Sequence, residues 1–192
     1  MGIEKDYLMR QLLMLFEVIQ KILRWRKKGE KGKALDENNI DLLFRLGVVL
    51  DKSGDKARSI EQMREILGID PDHADALNYI GYTYAEQGIN LDEAQKMIER
   101  AIELKPDNGY IIDSLGWVYY QKGQYDDALN YLNKAFALIP TDPTVAEHLG
   151  DAYFKTKQYE KSLELYNKAI KLKHPHEDKI LIKIKEVKKF LR

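Results

Sequence analysis

Four glycines, Gly47, Gly81, Gly116 and Gly150, recur at intervals of 34, 35 and 34 residues. Each follows an aliphatic residue: Leu46, Ile80, Leu115 and Leu149. Three residues later stand Leu50, Tyr84, Tyr119 and Tyr153. About a dozen residues on comes a small side chain (Ser59, Ala94, Ala128, Ser162), then a large apolar one (Met63, Ile98, Leu132, Tyr166). Pro71, Pro106 and Pro140 close the first three units, and Pro175 closes the fourth one place late. Apolar positions at helical spacing on both sides of a polar turn, with a period of about 34, predict helix–turn–helix units stacked in an array. Glycine and alanine mark where two helices touch most closely. Proline ends one unit and opens the next, because it cannot continue a helix.

The pattern large-x2-Leu-Gly-x2-Tyr, then Ala, an aromatic or aliphatic, Ala and Pro, resembles the tetratricopeptide repeat (TPR) family over roughly Asn38 to His176. Repeats two to four are similar to those of long bacterial envelope-associated members. The resemblance implies an all-α, right-handed helical-repeat solenoid, a TPR superhelix of four helix-turn-helix repeats. They fall at about residues 40–73, 74–108, 109–142 and 143–176. Ser59 stands where the family prefers alanine, and the second repeat carries an extra residue around Gly88–Leu91. Asp72, Asn108 and Asp142 lie near helix starts, where a side-chain oxygen can accept an orphan backbone N–H.

In this family the first helices of successive repeats line a concave groove that binds peptides or helices. Carried over by repeat position, the groove is lined by Asn78, Tyr82, Tyr110, Asp113, Trp117, Tyr120, Glu147, His148, Asp151 and Phe154. Arg45, Val48 and Lys52 continue it in the first repeat. The aromatics offer amphipathic contact area, and the carboxylates favour a basic or mixed-charge ligand. Trp117 is the leading anchor; it reads as a ligand hot spot, as support between repeats, or as a contact for the chain's own N-terminal helix. Family members that capture acidic chaperone tails use Lys, Asn and Arg at set groove positions. Here those places hold Asn78, Tyr82, Ser114, Thr144 and His148, so that clamp is not expected.

Outside the repeats, Ile3–Lys28 reads as one amphipathic helix with a wide apolar arc that includes Leu12, Phe16, Ile19 and Leu23. Three roles stay open for it: packing on the first repeat, a homodimer or partner interface, or a membrane-surface helix. Lys28–Leu35 resembles the turn Lys122–Leu129, yet no second helix follows it, and Gly29–Glu37 reads as a loop. Residues 1–37 thus form a separate N-terminal helix and loop, and the abrupt junction fits a designed or chimeric chain. At the other end, residues 177–192 read as a C-terminal capping helix with an apolar stripe of Ile180, Ile184, Val187 and Leu191. Its lysines leave a nucleic-acid recognition helix as the sharper alternative.

Charge bounds the partners. Residues 34–170 hold 14 Lys/Arg against 24 Asp/Glu, so the repeats are acidic and nucleic acid is not the expected ligand. The chain has no cysteine, no convincing secretory signal and no run near the ~20 apolar residues of a membrane span. A cytoplasmic location without membrane contact is expected. Lys52–Ser59 lacks the end of a phosphate loop, so it reads as a turn. His174-Pro-His176 has no third ligand nearby and reads as a solvated loop, with no metal or cofactor. The expectation is a non-catalytic protein–protein interaction scaffold that holds a partner protein or peptide in its groove. The alternative is a homo-oligomeric assembly subunit, dimeric through the N-terminal helix.

Overall fold

The computed structural model describes residues 37–191. The expected N-terminal helix, its loop and the interface candidates Leu12, Phe16, Ile19 and Leu23 lie outside the described residues. Among those described the architecture is all-α: α1 (Glu37–Lys52), α2 (Lys56–Ile69), α3 (Ala74–Gln87), α4 (Leu91–Leu104), α5 (Gly109–Gln121), α6 (Tyr125–Leu138), α7 (Pro143–Lys155), α8 (Tyr159–Lys171) and α9 (Glu177–Val187). The chain divides between Pro71 and Asp72 into two compact units.

The first unit contains the hairpin α1–α2. A Cβ on Gly47 would lie 2.5 Å from Cε of Met63, so the two helices meet at the glycine. Ser59 does more than stay small: its Oγ donates to the Gly47 carbonyl at 2.7 Å in a buried position. Asp55 caps α2 by accepting from the Arg58 N–H. Of the groove positions expected here, Arg45 is exposed and pairs with Asp41 at 2.8 Å.

In the second unit each first helix packs on its own second helix and on the next first helix, so α3, α5 and α7 lie side by side. Gly81, Gly116 and Gly150 stand opposite Ile98, Leu132 and Tyr166. The fully buried alanines Ala94, Ala101, Ala128, Ala135, Ala152 and Ala169 keep the helices close. Asn108 and Asp142 cap α5 and α7 as the sequence suggests. At α3 the cap is His73 instead, whose Nδ1 accepts from the Ala76 N–H at 3.2 Å. Asp72 lies one residue too early to reach those amides and holds Arg100 at 2.8 Å.

The extra residue of the second repeat is absorbed where Gly88 and Asn90 both adopt left-handed backbone, at φ 67° and 49°. The corresponding turn residue elsewhere is Gly54 (φ 87°), Gly123 (φ 76°) and, in the fourth repeat, Lys157 (φ 60°). A side chain in this region crowds its own carbonyl. Lys157→Gly is therefore expected to stabilise the chain by about 0.5–1 kcal/mol, read as a higher urea midpoint at unchanged slope.

The last helix docks by its stripe. Ile180, Ile184 and Val187 join Ala146, Tyr166 and Ala169 in one buried cluster, with Leu191 packed against it. Burial of each large aliphatic contributes about 1.5–3 kcal/mol, enough to hold α9 in place. The helix ends at Val187 rather than Leu191. Short-range bonds from Lys189 N to Glu186 O and Phe190 N to Val187 O tighten the end. Phe190 then stacks on Tyr159 at 4.6 Å.

Candidate functional site

Because α3, α5 and α7 lie side by side, equivalent positions fall in rows, 35 residues apart from α3 to α5 and 34 from α5 to α7. Asn78, Asp113 and Glu147 form such a row, His148 stands one residue further along α7, and α9 adds Lys183. Beside them lies a cavity of about 430 Å³ lined by Tyr82, Glu86, Trp117, Glu147, His148 and Asp151 from α3, α5 and α7. Thr144, His174, Pro175, His176, Lys179 and Lys183 complete its wall.

At its centre, Trp117 stacks on Tyr120 (4.6 Å, 6°) and on His148 (4.1 Å, 16°). Two near-parallel partners at these distances occupy much of the indole's stacking surface within the chain itself. Trp117 is thus first a tie between α5 and α7. His148 Nδ1 lies 2.8 Å from Asp113 Oδ2, and both residues are only 5% exposed. Burial would lower the imidazole pKa, but the charge and hydrogen bond of Asp113, with Asp151 and Glu147 nearby, outweigh it and raise the value. Enclosed this way, His148 is held in place by Asp113 and Trp117, and its protonated form is favoured.

Lys183 bridges the next two carboxylates. Its Nζ donates to Glu147 Oε1 at 2.6 Å and to Asp151 at 2.8 and 2.6 Å. The Tyr166 hydroxyl also donates to Asp151 Oδ1 at 2.6 Å. Burial acts against both charges, yet the pairing wins: the Lys183 pKa is raised and that of Glu147 lowered. His174 approaches from the loop before α9, with Nε2 2.8 Å from Glu147 Oε2. Its Nδ1 accepts from the His176 N–H, which leaves the imidazole hydrogen on Nε2; that atom lies close to Glu147 without making a well-directed hydrogen bond to it.

Of the residues expected to line the groove, Tyr82, Trp117, Glu147, His148 and Asp151 meet at the cavity. Tyr120 stacks on Trp117 and Asp113 pairs with His148, so each adjoins the cavity through a lining residue. Tyr110 is exposed on α5, at 57%. Phe154 turns to Tyr159 and Phe190. Two expectations need correction. His174 is not a solvated loop residue: it is 6% exposed, because Glu147 draws it in. The capping helix does more than cover apolar surface, since it delivers Lys183 into the groove. The 35-residue step from His148 to Lys183 was the available signal. Among the described residues, no group of three or more His, Asp or Glu is arranged to hold a metal ion.

These ionisations set a pH dependence. His148 has a folded pKa above its ordinary 6.5, so its stabilisation is complete below that value and is lost as pH rises through the folded value. Glu147, lowered from 4.5, stabilises above that value and loses its effect as pH falls through the folded one. Unfolding free energy from these groups is greatest between 4.5 and 6.5. It is expected to decline on the alkaline side. Urea titrations across pH should show that decline in the unsubstituted chain and a flatter limb in His148→Asn.

Comparison with known proteins follows the same lines. A profile described as "Tetratricopeptide repeat" matches residues 44–109, and one described as "Anaphase-promoting complex, cyclosome, subunit 3" matches residues 87–169. A TPR repeat-containing protein of Pseudomonas aeruginosa is 32% identical over 129 residues, 65% of this chain. The chain spans 22% of that relative's length. Among solved structures, MamA from Desulfovibrio magneticus, residue 41 to the end, superposes with a TM-score of 0.59 at 21% identity, covering 72% of this chain and 78% of that one. The first TPR of Spaghetti (RPAP3), bound to the HSP90 peptide SRMEEVD, gives 0.56 at 21% identity, covering 62% of this chain and 92% of that one. At such identities the likeness is one of fold. Among the described residues no helix is long and apolar enough to cross a membrane.

Proposed function

The repeats of this chain belong to the tetratricopeptide repeat family, and on that premise we propose that it is a non-catalytic interaction scaffold holding a partner peptide in the cavity between α3, α5, α7 and α9. The observation that carries this is the cavity itself. It has an aromatic centre fixed in place by stacking and a wall of both charge signs, which suits a side chain–bearing segment better than a small metabolite. Its polar groups are held by their own ion pairs, so the binding surface is pre-organised and loses little entropy on association. That the RPAP3 repeat holds a peptide supports this use of the fold, though not the same ligand: SRMEEVD is acidic, whereas here buried carboxylates sit at the groove.

The test is selection of a displayed peptide library on the full chain. Enriched peptides should compete with one another and weaken at least about tenfold on Tyr82→Ala or Lys179→Glu. Asp126→Ala, outside the cavity, should leave them unchanged. No enrichment, or binding indifferent to the groove substitutions, would remove the reading.

A further inference from the structure

Of the three carboxylates at the groove, buried Asp113 and Asp151 and half-buried Glu147, two are engaged within the chain on both sides. Asp151 holds Lys183 and Tyr166, and Glu147 holds Lys183 and His174. Asp113 differs. It gives Oδ2 to His148, while its Oδ1 is buried with no donor. One helix away, at the same register position of α3, the Asn78 Oδ1 is also buried without a donor. A buried acceptor left unpaired is costly and rare in a folded chain. Two of them, in equivalent places on adjacent helices, point to a donor that arrives from outside.

We propose that this spot between α3 and α5 is the subsite for a lysine or arginine side chain of the bound peptide. The proposal rests on the groove reading above and adds the chemistry of its ligand. Asp113 shares its charge with His148 through Oδ2, but a cationic donor at the open Oδ1 makes a shorter and stronger charge-assisted bond than a neutral one. One turn beyond Asn78, Tyr82 adds an aromatic wall that suits a guanidinium or ammonium. Burial, Glu86 and Asp113 all raise the Tyr82 pKa, so its phenol stays protonated and adds no competing anion. Lys179 also stands on the cavity wall and disfavours a second cation beside it, which suits a peptide of mixed charge.

The test uses the full chain, isotopically labelled, titrated with acetyl-Ala-Ala-Arg-Ala-Ala-amide and with its glutamate counterpart. The Asn78 side-chain amide and the Trp117 indole resonances report binding. The arginine peptide is expected to shift them saturably, with the glutamate peptide at least about tenfold weaker. Asn78→Leu and Asp113→Asn should each weaken the arginine peptide about tenfold. If either variant loses its folded spectrum, Tyr82→Leu serves in its place with the same expectation. Equal or stronger binding of the glutamate peptide, silence of the arginine peptide, or variants that bind unchanged would overturn the subsite. Groove-sensitive library peptides lacking basic residues would sink this inference while the scaffold reading stands; if no peptide reaches the groove in either experiment, both fall.

Discussion

Asp113→Ala is expected to destabilise the chain by about 3–5 kcal/mol, among the largest effects a single side chain can have here. The pair it breaks is 5% exposed on both sides. Removing the carboxylate leaves His148 without its partner at 2.8 Å, in a place where burial alone lowers the imidazole pKa. The ring then loses its proton near neutrality or stays as an uncompensated buried charge, and either result costs stability. The effect should spread to Trp117, whose indole stacks on that ring at 4.1 Å. Near-ultraviolet dichroism should therefore weaken together with the urea midpoint. Asp113→Leu combined with His148→Leu should recover most of the loss, since a well-packed apolar pair often matches a buried ion pair. A single substitution costing under about 1 kcal/mol, the range of exposed pairs, would mean that the pair does not hold α5 to α7.

The repeat was legible because its cause is local and identical in every unit. Gly81, Gly116 and Gly150 each meet the side chain sixteen or seventeen residues later, and a contact so constrained leaves the same residue types at the same spacing. Groove-facing direction follows from that register, which is how Tyr82, Trp117, Glu147, His148 and Asp151 could be gathered from sequence. Pairing could not be read the same way. The partner of Glu147 on the cap is Lys183, 36 residues away, and the partner of His148 is Asp113, 35 away; many charged residues share such separations. His174 was misjudged because a histidine before proline looks like a loop residue until its contact with Glu147 is visible. The stacking of Trp117 was equally hidden, since it depends on ring rotation and not on register.

The same register explains how α9 packs on the fourth repeat. Ile180 and Ile184 stand 35 residues after Val145 and Leu149, so α9 occupies the place of a further first helix. The position corresponding to Gly150 is Lys185, which is exposed. A second helix could not approach Lys185 at the distance that the glycine positions of the repeats allow.

That close approach carries the second large effect, expected at Gly116. A Cβ there would lie 2.6 Å from Leu132 Cγ, 2.8 Å from its Cδ2 and 3.1 Å from its backbone nitrogen. Leu132 is fully buried among Ala128, Leu149, Ala152 and Leu165, so it has nowhere to retreat. Gly116→Val should therefore force α5 from α6 and cost about 3 kcal/mol, at the upper end of overpacking effects, despite the small helix-propensity gain from losing glycine. The cause is space and not backbone freedom, because Gly116 is not among the residues with positive φ. A double-mutant cycle separates the two. Leu132→Ala alone should cost about 2–5 kcal/mol through its cavity. In that background Gly116→Val should cost under about 1 kcal/mol, because the valine fills what the leucine vacated. If the two penalties add instead, the glycine is needed for something other than the contact with Leu132, and the packing account of the whole glycine series fails with it.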